Sequence, residues 1–152
     1  SDMNGTVNFR LFWTHQPVRN SQSLPGSLIS NAAGTTGSPR DRVNLTLGYN
    51  IDAFTINVVE SYIAPSNWQS TPRQRVYDVP RIRDYALTSV NMSYDFTAED
   101  TPMSAFLNVS NLWNDHGPLT GGWAGSPGML YPVPTYADII GRYFTVGLRV
   151  NM

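Results

Sequence analysis

Apolar and polar side chains alternate along six segments of the chain. The carboxyl-terminal segment shows the pattern most clearly, with one set of side chains apolar and the intervening set small or polar: Phe144, Val146, Leu148, Val150 and Met152 against Tyr143, Thr145, Gly147, Arg149 and Asn151. Because successive side chains of a strand point to opposite faces, this period of two predicts a β-strand with two unlike faces. The same pattern predicts five further strands at residues 6–14, 42–50, 53–62, 85–96 and 103–113.

The polar faces of these predicted strands repeat one chemistry, since asparagine recurs on them together with arginine. A dry core would not accept such groups without partners, because an unpaired buried polar group costs about 1–3 kcal/mol or more. A water-filled or plugged lumen would accept them. We therefore predict that the apolar faces contact lipid, as in transmembrane barrels, and that six polar residues face the lumen: Arg10, Asn44, Asn57, Asn91, Asn108 and Arg149.

The connections between the predicted strands alternate in length. Long connections cover residues 15–41, 63–84 and 114–137, and short ones cover 51–52 and 97–102. Transmembrane barrels have short periplasmic turns and long external loops. The 12 glycines and 11 prolines suggest that the long connections are irregular loops.

Aromatic and arginine side chains in the long loops are the candidates for ligand contact. They are Trp68, Arg73, Arg75, Tyr77, Trp123 and Tyr131. The aromatic residues would either stack on a ligand or pack the loops over the barrel mouth. Six arginines at the ends of the external loops would either bind an anionic ligand or lipopolysaccharide, or form rim ion pairs with Asp41, Asp78 and Asp84: Arg40, Arg42, Arg73, Arg75, Arg81 and Arg83.

Composition narrows the function classes. Charged residues make up only 14% of the chain, against about 25% in ordinary soluble domains, and the net charge of −1 gives no basic face for nucleic acid. Cysteine is absent, and His15 and His116 show no metal-ligand spacing. No G-x-S-x-G nucleophile motif follows a strand. We therefore expect neither an enzyme nor a cofactor or metal site.

Two segments near the carboxyl end resemble TonB-dependent outer-membrane receptors. Residues 104–114, Ser-Ala-Phe-Leu-Asn-Val-Ser-Asn-Leu-Trp-Asn, resemble the penultimate strand of these receptors, which ends in Asn-Leu-aromatic-Asn or Asp. Residues 136–149 resemble the last strand, with its Gly-Arg-x-aromatic-x-x-Gly pattern, and residues 85–94 are similar to the strand before that pair. The residues before 85 share only the alternation.

The resemblance implies that residues 1–152 are the carboxyl-terminal segment of a large barrel of 22 strands, about six of them transmembrane strands in an antiparallel meander. The plug domain and the remaining strands would lie outside this chain. Such receptors import a scarce nutrient across the bacterial outer membrane. The resemblance also implies a terminal assembly signal, here Thr145, Gly147, Val150 and Met152, although the family more often ends in Phe.

The resemblance further implies a set of partners. These are outer-membrane lipid and lipopolysaccharide, the rest of the same receptor, the inner-membrane TonB complex reached through the missing amino terminus, the barrel-assembly machinery, and a small-molecule or oligomeric nutrient. Two alternatives from other classes remain open at this point. One is a small autonomous outer-membrane adhesin barrel, and the other is a soluble β-sandwich carbohydrate-binding module. Detergent dependence would separate the soluble module from both membrane hypotheses.

Overall fold

The computed structural model describes residues 5–68, 81–121, 130–133, 138 and 140–150. This part of the chain is all-β and contains no helix long and apolar enough to cross a membrane. The strands are β1 (Gly5–His15), β2 (Asn20–Ser21), β3 (Ser30–Asn31), β4 (Asp41–Ile51), β5 (Phe54–Ile63), β6 (Ser66–Asn67), β7 (Arg81–Ile82), β8 (Tyr85–Ala98), β9 (Thr101–Ser110), β10 (Leu119–Gly121), β11 (Leu130–Pro132) and β12 (Tyr143–Val150).

The six long strands form one antiparallel sheet in the order β1-β4-β5-β8-β9-β12. Each strand pairs with the next long strand along the chain, so the sheet is a simple meander, as is usual for sequential antiparallel strands. The six strands predicted from the alternation are confirmed. Within the described residues the two edge strands, β1 and β12, do not pair with each other, and the sheet is open.

The short connections are tight hairpin turns with left-handed backbone. Glu99 and Asp100 both have positive φ, 48° and 62°, which is the geometry of a type I′ turn joining β8 to β9. Asp52, with φ of 48°, opens the two-residue turn between β4 and β5. Aspartate, as at positions 52 and 100, adopts this conformation more readily than most residues, and the turns hold the strands in register.

The long connections lie together at the opposite end of the sheet, and they are more ordered than expected. Each contains a small antiparallel strand pair, β2 with β3, β6 with β7, and β10 with β11. These short strand pairs were not predicted. The first two connections are also joined by backbone hydrogen bonds, from Thr36 N to Asn67 O at 3.1 Å and from Asn67 N to Gly34 O at 2.8 Å.

Strand β9 ends at Ser110, three residues before the predicted end at Trp113. Asn111 and Asn114 adopt left-handed backbone with φ of 53° and 57°, and Asn114 N donates to Asn111 O at 2.9 Å. Asparagine is among the residues that enter this region most readily. Trp113 falls on the parity of the apolar positions Ala105, Leu107 and Val109 in the sequence, but it lies in a turn.

The sheet is a single layer, and its small buried cluster lies beneath the long connections. That cluster consists of Ile82, Tyr85 and Val133, with Ile63, Trp68 and Leu87 packed against it. No second sheet of described residues covers the apolar face of the six-stranded sheet. Both faces of the sheet are therefore available to whatever surrounds the protein.

Candidate functional site

One face of the sheet carries a polar row that crosses all six long strands. Cross-strand register places Asn8, Gly48, Asn57, Asn91, Asn108 and Thr145 side by side in that order. Gly48 leaves space for its neighbour, because a Cβ there would lie 2.7 Å from Asn57 Oδ1. The row is thus a continuous band of amide and hydroxyl groups.

All six residues predicted to face a lumen lie on this same face. Arg10 pairs with Thr46 and Asn44 pairs with Ser61 in register, on the same side as the polar row. Arg149 lies opposite Ser104 at the short-turn end. The shared face is a property of the sheet, whereas its facing a lumen remains a prediction.

A cleft of about 560 Å³ opens on the polar face across β5, β8, β9 and β12. This volume lies within the range of small-molecule sites, about 300–1,000 Å³. Its side-chain lining is mainly polar: Asn57, Asn91, Ser93, Asp95, Ser104, Phe106, Asn108 and Arg149, with Met92 at its boundary. The Phe106 ring lies over Gly147 on the neighbouring strand, where a Cβ would come within 2.5 Å of Phe106 Cζ. The absence of a side chain at Gly147 therefore leaves the space that the Phe106 ring occupies.

The opposite face is apolar and open. Phe9 on β1 is 67% exposed and Val146 on β12 is 80% exposed. The row that begins at Phe9 continues through Leu47, Val58 and Val90 to Val109, which is buried, and ends at the exposed Phe144. An exposed apolar patch of this extent is unusual on a soluble monomer and indicates contact with a membrane or a partner protein.

One polar group interrupts the apolar face near the long connections. Glu60 lies in the row with Leu45 and Thr88, and it accepts a hydrogen bond from the Thr88 hydroxyl. Thr88 Oγ1 in turn accepts from Trp113 Nε1 at 2.9 Å. Glu60 was not among the predicted site residues, although its even spacing from Ile56 and Val58 places it on this face.

A hydrogen-bonded group at the long-connection end, which we term the loop anchor, consists of Arg83, Asn111, Asp115 and Asp138. Asn111 is 1% exposed. Its Nδ2 donates to Asp115 O at 2.9 Å and to Asp138 Oδ2 at 2.8 Å, and its Oδ1 accepts from Asp115 N at 2.9 Å. Arg83 donates to both carboxylate oxygens of Asp115. The anchor ties the start of β8 to the connection between β9 and β12.

The residues that follow Asn111 hold the beginning of β12. Asn114 Oδ1 accepts from Arg142 N at 2.9 Å, and Leu112 O accepts from the Arg142 guanidinium at 3.3 Å. The same guanidinium lies over the Phe144 ring, 5.9 Å from its centroid. These contacts give a physical reason for the Asn-Leu-Trp-Asn and Gly-Arg segments on which the family resemblance rests.

The Arg83–Asp115 pair makes the loop anchor sensitive to acid. Hydrogen bonds from Arg83 hold the pKa of Asp115 below its ordinary value of 3.8, and the hydrogen bond from Gly117 N adds to this effect. A carboxylate with a depressed folded pKa contributes stability that is present above its unfolded pKa and is lost as pH falls through the folded pKa. We therefore expect the loop anchor to weaken as the pH falls below 3.8, the ordinary pKa of this carboxyl group. Comparing urea unfolding at neutral and acidic pH tests this, and Asp115→Asn should remove that part of the pH dependence.

A second polar group lies at the end of β1 and β4. Asp41 Oδ1 accepts from Trp13 Nε1 at 3.0 Å and lies 2.6 Å from His15 Nδ1. Among the described residues Asp41 pairs with His15 and Arg83 pairs with Asp115, so neither Asp41 nor Asp84 forms a rim ion pair with a described arginine. The partners in these two described pairs are 26 and 32 positions apart in sequence. Arg73, Arg75 and Asp78 lie outside the described residues.

The predicted loop ligands have different outcomes. Trp68 packs against the buried cluster of Ile82, Tyr85 and Val133, which favours the loop-packing alternative for this residue. Tyr131 belongs to β11. Arg73, Arg75, Tyr77 and Trp123 lie outside the described residues, as does Met152 of the predicted assembly signal. The other signal residues, Thr145, Gly147 and Val150, lie in β12 as predicted.

The six-stranded sheet has one polar face and one apolar face. The polar face offers hydrogen-bond donors and acceptors along a band and a cleft, while the apolar face offers hydrocarbon contact. Among the described residues, no three His, Asp or Glu side chains lie together as a metal site would require. No protein-family model, curated protein or solved structure matches the chain.

Proposed function

We propose that this chain forms part of the wall of an outer-membrane transporter, as the carboxyl-terminal segment of a TonB-dependent receptor. The observation that carries the proposal is the single-layer antiparallel meander with one polar face and one exposed apolar face. Its long connections all lie at one end and its tight turns at the other, which is the arrangement of bacterial outer-membrane barrels.

Strand length supports the same proposal. The membrane is crossed by barrel strands of about 9–11 residues tilted by about 45°. β1, β4, β5 and β9 have 11, 11, 10 and 10 residues. Contact with lipid carries no hydrophobic penalty for the apolar face. In water, each Å² of exposed apolar surface costs about 25 cal/mol of free energy relative to burial.

The two open edges support the presence of further strands. β1 and β12 each offer a row of backbone N–H and C=O groups without partners in the described sheet. In hydrocarbon each unsatisfied group costs several kcal/mol, so only closed barrels are stable there. Strands from the rest of the receptor would pair with both edges.

In the proposed mechanism the long connections capture a nutrient outside the cell and the polar face guides it through the lumen. The plug would move when the inner-membrane TonB complex pulls on it, and this chain would supply the polar surface along which the cargo passes. Arg10, Asn44 and Arg149 would line that path, along with the polar row. This chain binds and guides, and it performs no bond chemistry.

Spin labels on adjacent positions test the membrane orientation. The chain contains no cysteine, so single cysteines can be placed at Val146 and Leu107 on the apolar face, and at Thr145 and Asn108 on the polar face. With the full protein in phospholipid vesicles, we expect labels at Val146→Cys and Leu107→Cys to be relaxed by oxygen. Labels at Thr145→Cys and Asn108→Cys should be relaxed preferentially by an aqueous nickel complex.

Register supplies an internal control, because Thr145 lies opposite Asn108 and Val146 lies opposite Leu107. Each opposing pair should give the same result. Equal exposure of all four labels to the nickel complex, in a protein that stays folded and monomeric without detergent, would contradict the proposal and favour a soluble binding module. The mass of the native polypeptide separates the remaining alternative: a size near the 16.9 kDa of this chain would indicate a small adhesin barrel.

A further inference from the structure

A separate cavity lies at the long-connection end of the polar face, where β1 ends and β4 begins. Its volume is about 340 Å³, at the lower end of the range of small-molecule sites, about 300–1,000 Å³. We term it the arginine pocket. Its lining comes from β1, β4 and the connection between them: Thr14, Gln16, Arg19, Gly37, Ser38, Pro39 and Arg42.

Main-chain hydrogen bonds hold the walls of the arginine pocket in place. Gln16 N donates to Arg40 O at 2.7 Å, which closes the connection where it leaves the sheet. Arg19 O accepts from Ala32 N at 2.8 Å, and this bond fixes the backbone at Arg19. Ser38 is only 4% exposed, so the wall that it forms is packed. The pocket is therefore a built feature of this connection.

The side chains that line the pocket offer many hydrogen-bond donors and few acceptors. Each guanidinium carries five N–H donors and no acceptor. The Ser38 hydroxyl donates to Gln16 Oε1 at 3.0 Å, which occupies the acceptor of that amide and leaves its Nε2 donors for a ligand. No described aspartate or glutamate lines the pocket. Neither the Arg19 nor the Arg42 side chain forms a hydrogen bond or salt bridge with a described residue.

The nearest acidic residue in the sequence points to the other face of the sheet. Thr14 pairs with Arg42, and both lie on the polar face. Asp41 precedes Arg42 in β4, so its side chain lies on the apolar face, where it contacts Trp13 and His15. The alternation of the strand therefore leaves the positive charge of the pocket without a neutralising carboxylate among the described residues.

From these observations we infer that the arginine pocket binds a phosphate monoester. The two guanidiniums carry one positive charge each, and a phosphate monoester carries about −1.5 to −2 at pH 7. Its terminal oxygens accept bidentate hydrogen bonds from Arg19 and Arg42, and a further one from Gln16 Nε2. A carboxylate has a single negative charge and would neutralise only one of the two guanidiniums.

The position of the pocket decides between two sources of phosphate, a soluble metabolite and the headgroup of lipopolysaccharide. Thr14 and Arg42 place the pocket on the polar face, which in the proposed function is turned away from lipid. The ligand is therefore a small soluble phosphate monoester, such as a sugar phosphate. The phosphate class follows from the pocket alone, whereas the soluble source rests on the proposed function.

Calorimetry with the full protein in micelles of a neutral detergent tests the inference, with glucose 6-phosphate as the probe. We expect glucose and glucuronate to bind at least about tenfold more weakly, because glucose lacks the charge and glucuronate carries only part of it. Arg19→Gln and Arg42→Gln should each weaken the binding of glucose 6-phosphate about tenfold, because each removes charge-assisted hydrogen bonds. Neither variant should change the weak binding of glucose.

Arg40→Gln is the matched control for a general effect of net charge. Arg40 carries the same charge two positions from Arg42, but its side chain lies beside Gly34 and does not line the pocket. At about 0.15 M salt, where exposed charges are screened, this variant should bind glucose 6-phosphate within about twofold of the native protein. The alternating spin-label pattern, measured in all three variants, shows that they remain folded.

The inference is overturned if glucose 6-phosphate fails to bind, or if Arg40→Gln weakens its binding as much as Arg42→Gln does. Equal affinity for glucuronate would overturn it as well, since the pocket would then be a carboxylate site. Displacement of the probe by micelles that contain lipid A, but not by micelles that contain phosphatidylcholine, would overturn the soluble source and assign the phosphate to a lipid.

These failures are distinguishable from failure of the proposed function. If the spin labels alternate between lipid and water, loss of phosphate binding leaves the transporter proposal intact. If phosphate binding depends on Arg19 and Arg42 but the spin labels do not alternate, the pocket is retained and the transporter proposal is removed.

Discussion

Replacing Asn111 with alanine is expected to release the connection between β9 and β12 and to lower the free energy of unfolding by about 3–5 kcal/mol. The Asn111 side chain makes three hydrogen bonds, all within the loop anchor. Removing this side chain leaves Asp115 N and Asp138 Oδ2 without this hydrogen-bond partner. Asn111 is only 1% exposed. It also forces alanine into left-handed backbone, at φ of 53°. Urea unfolding followed by tryptophan fluorescence measures the loss.

Two further substitutions at the same position separate the causes. Asn111→Gly loses the hydrogen bonds but adopts positive φ freely, so it should be less destabilised than Asn111→Ala by about 1 kcal/mol. Asn111→Asp keeps the acceptor oxygen but places a second carboxylate against Asp138. A loss below about 1 kcal/mol for Asn111→Ala would show that the anchor does not hold the connection, because even one unsatisfied buried group costs that much.

The strands could be predicted because alternation is a local property of the sequence. In a sheet with one apolar and one polar face, shifting the register by one residue would turn every side chain of a strand to the wrong face. The two unlike faces therefore specify the strand and exclude a register shift of one residue. This is why Asn57, Asn91 and Asn108, far apart in sequence, were correctly placed on one face.

The site contacts could not be predicted, because they depend on partners that only the folded connections bring together. Arg83 and Asp115 are separated by 32 positions, and the sequence offered Asp84 as a nearer candidate for that arginine. The end of β9 was misplaced for a related reason. Trp113 keeps the spacing of the apolar positions, but the buried hydrogen bonds of Asn111 favour a turn at that point. Glu60 was a different failure, since its position on the apolar face could have been read from spacing alone.

The second large effect is expected at Gly141, which lies just before β12. Gly141→Ala should lower the free energy of unfolding by about 3 kcal/mol, from positive-φ strain and from crowding. The backbone φ is 76°, and a Cβ would lie 2.6 Å from His116 Cε1 and 2.7 Å from Asn114 Oδ1. That same Asn114 oxygen accepts the Arg142 N–H at 2.9 Å, so the added methyl group would displace the contact that begins β12.

Two other glycines divide this effect into its parts. Gly26 also has positive φ, 85°, but a Cβ there would meet nothing within 4 Å, and Gly37 has open space without positive φ. Gly26→Ala should therefore show the strain alone, about 1–2 kcal/mol, and Gly37→Ala should be close to neutral. Equal losses at Gly141 and Gly26 would show that the Asn114–Arg142 contact contributes nothing. A larger loss at Gly141, accompanied by faster proteolysis between β9 and β12, would show that the start of β12 depends on it.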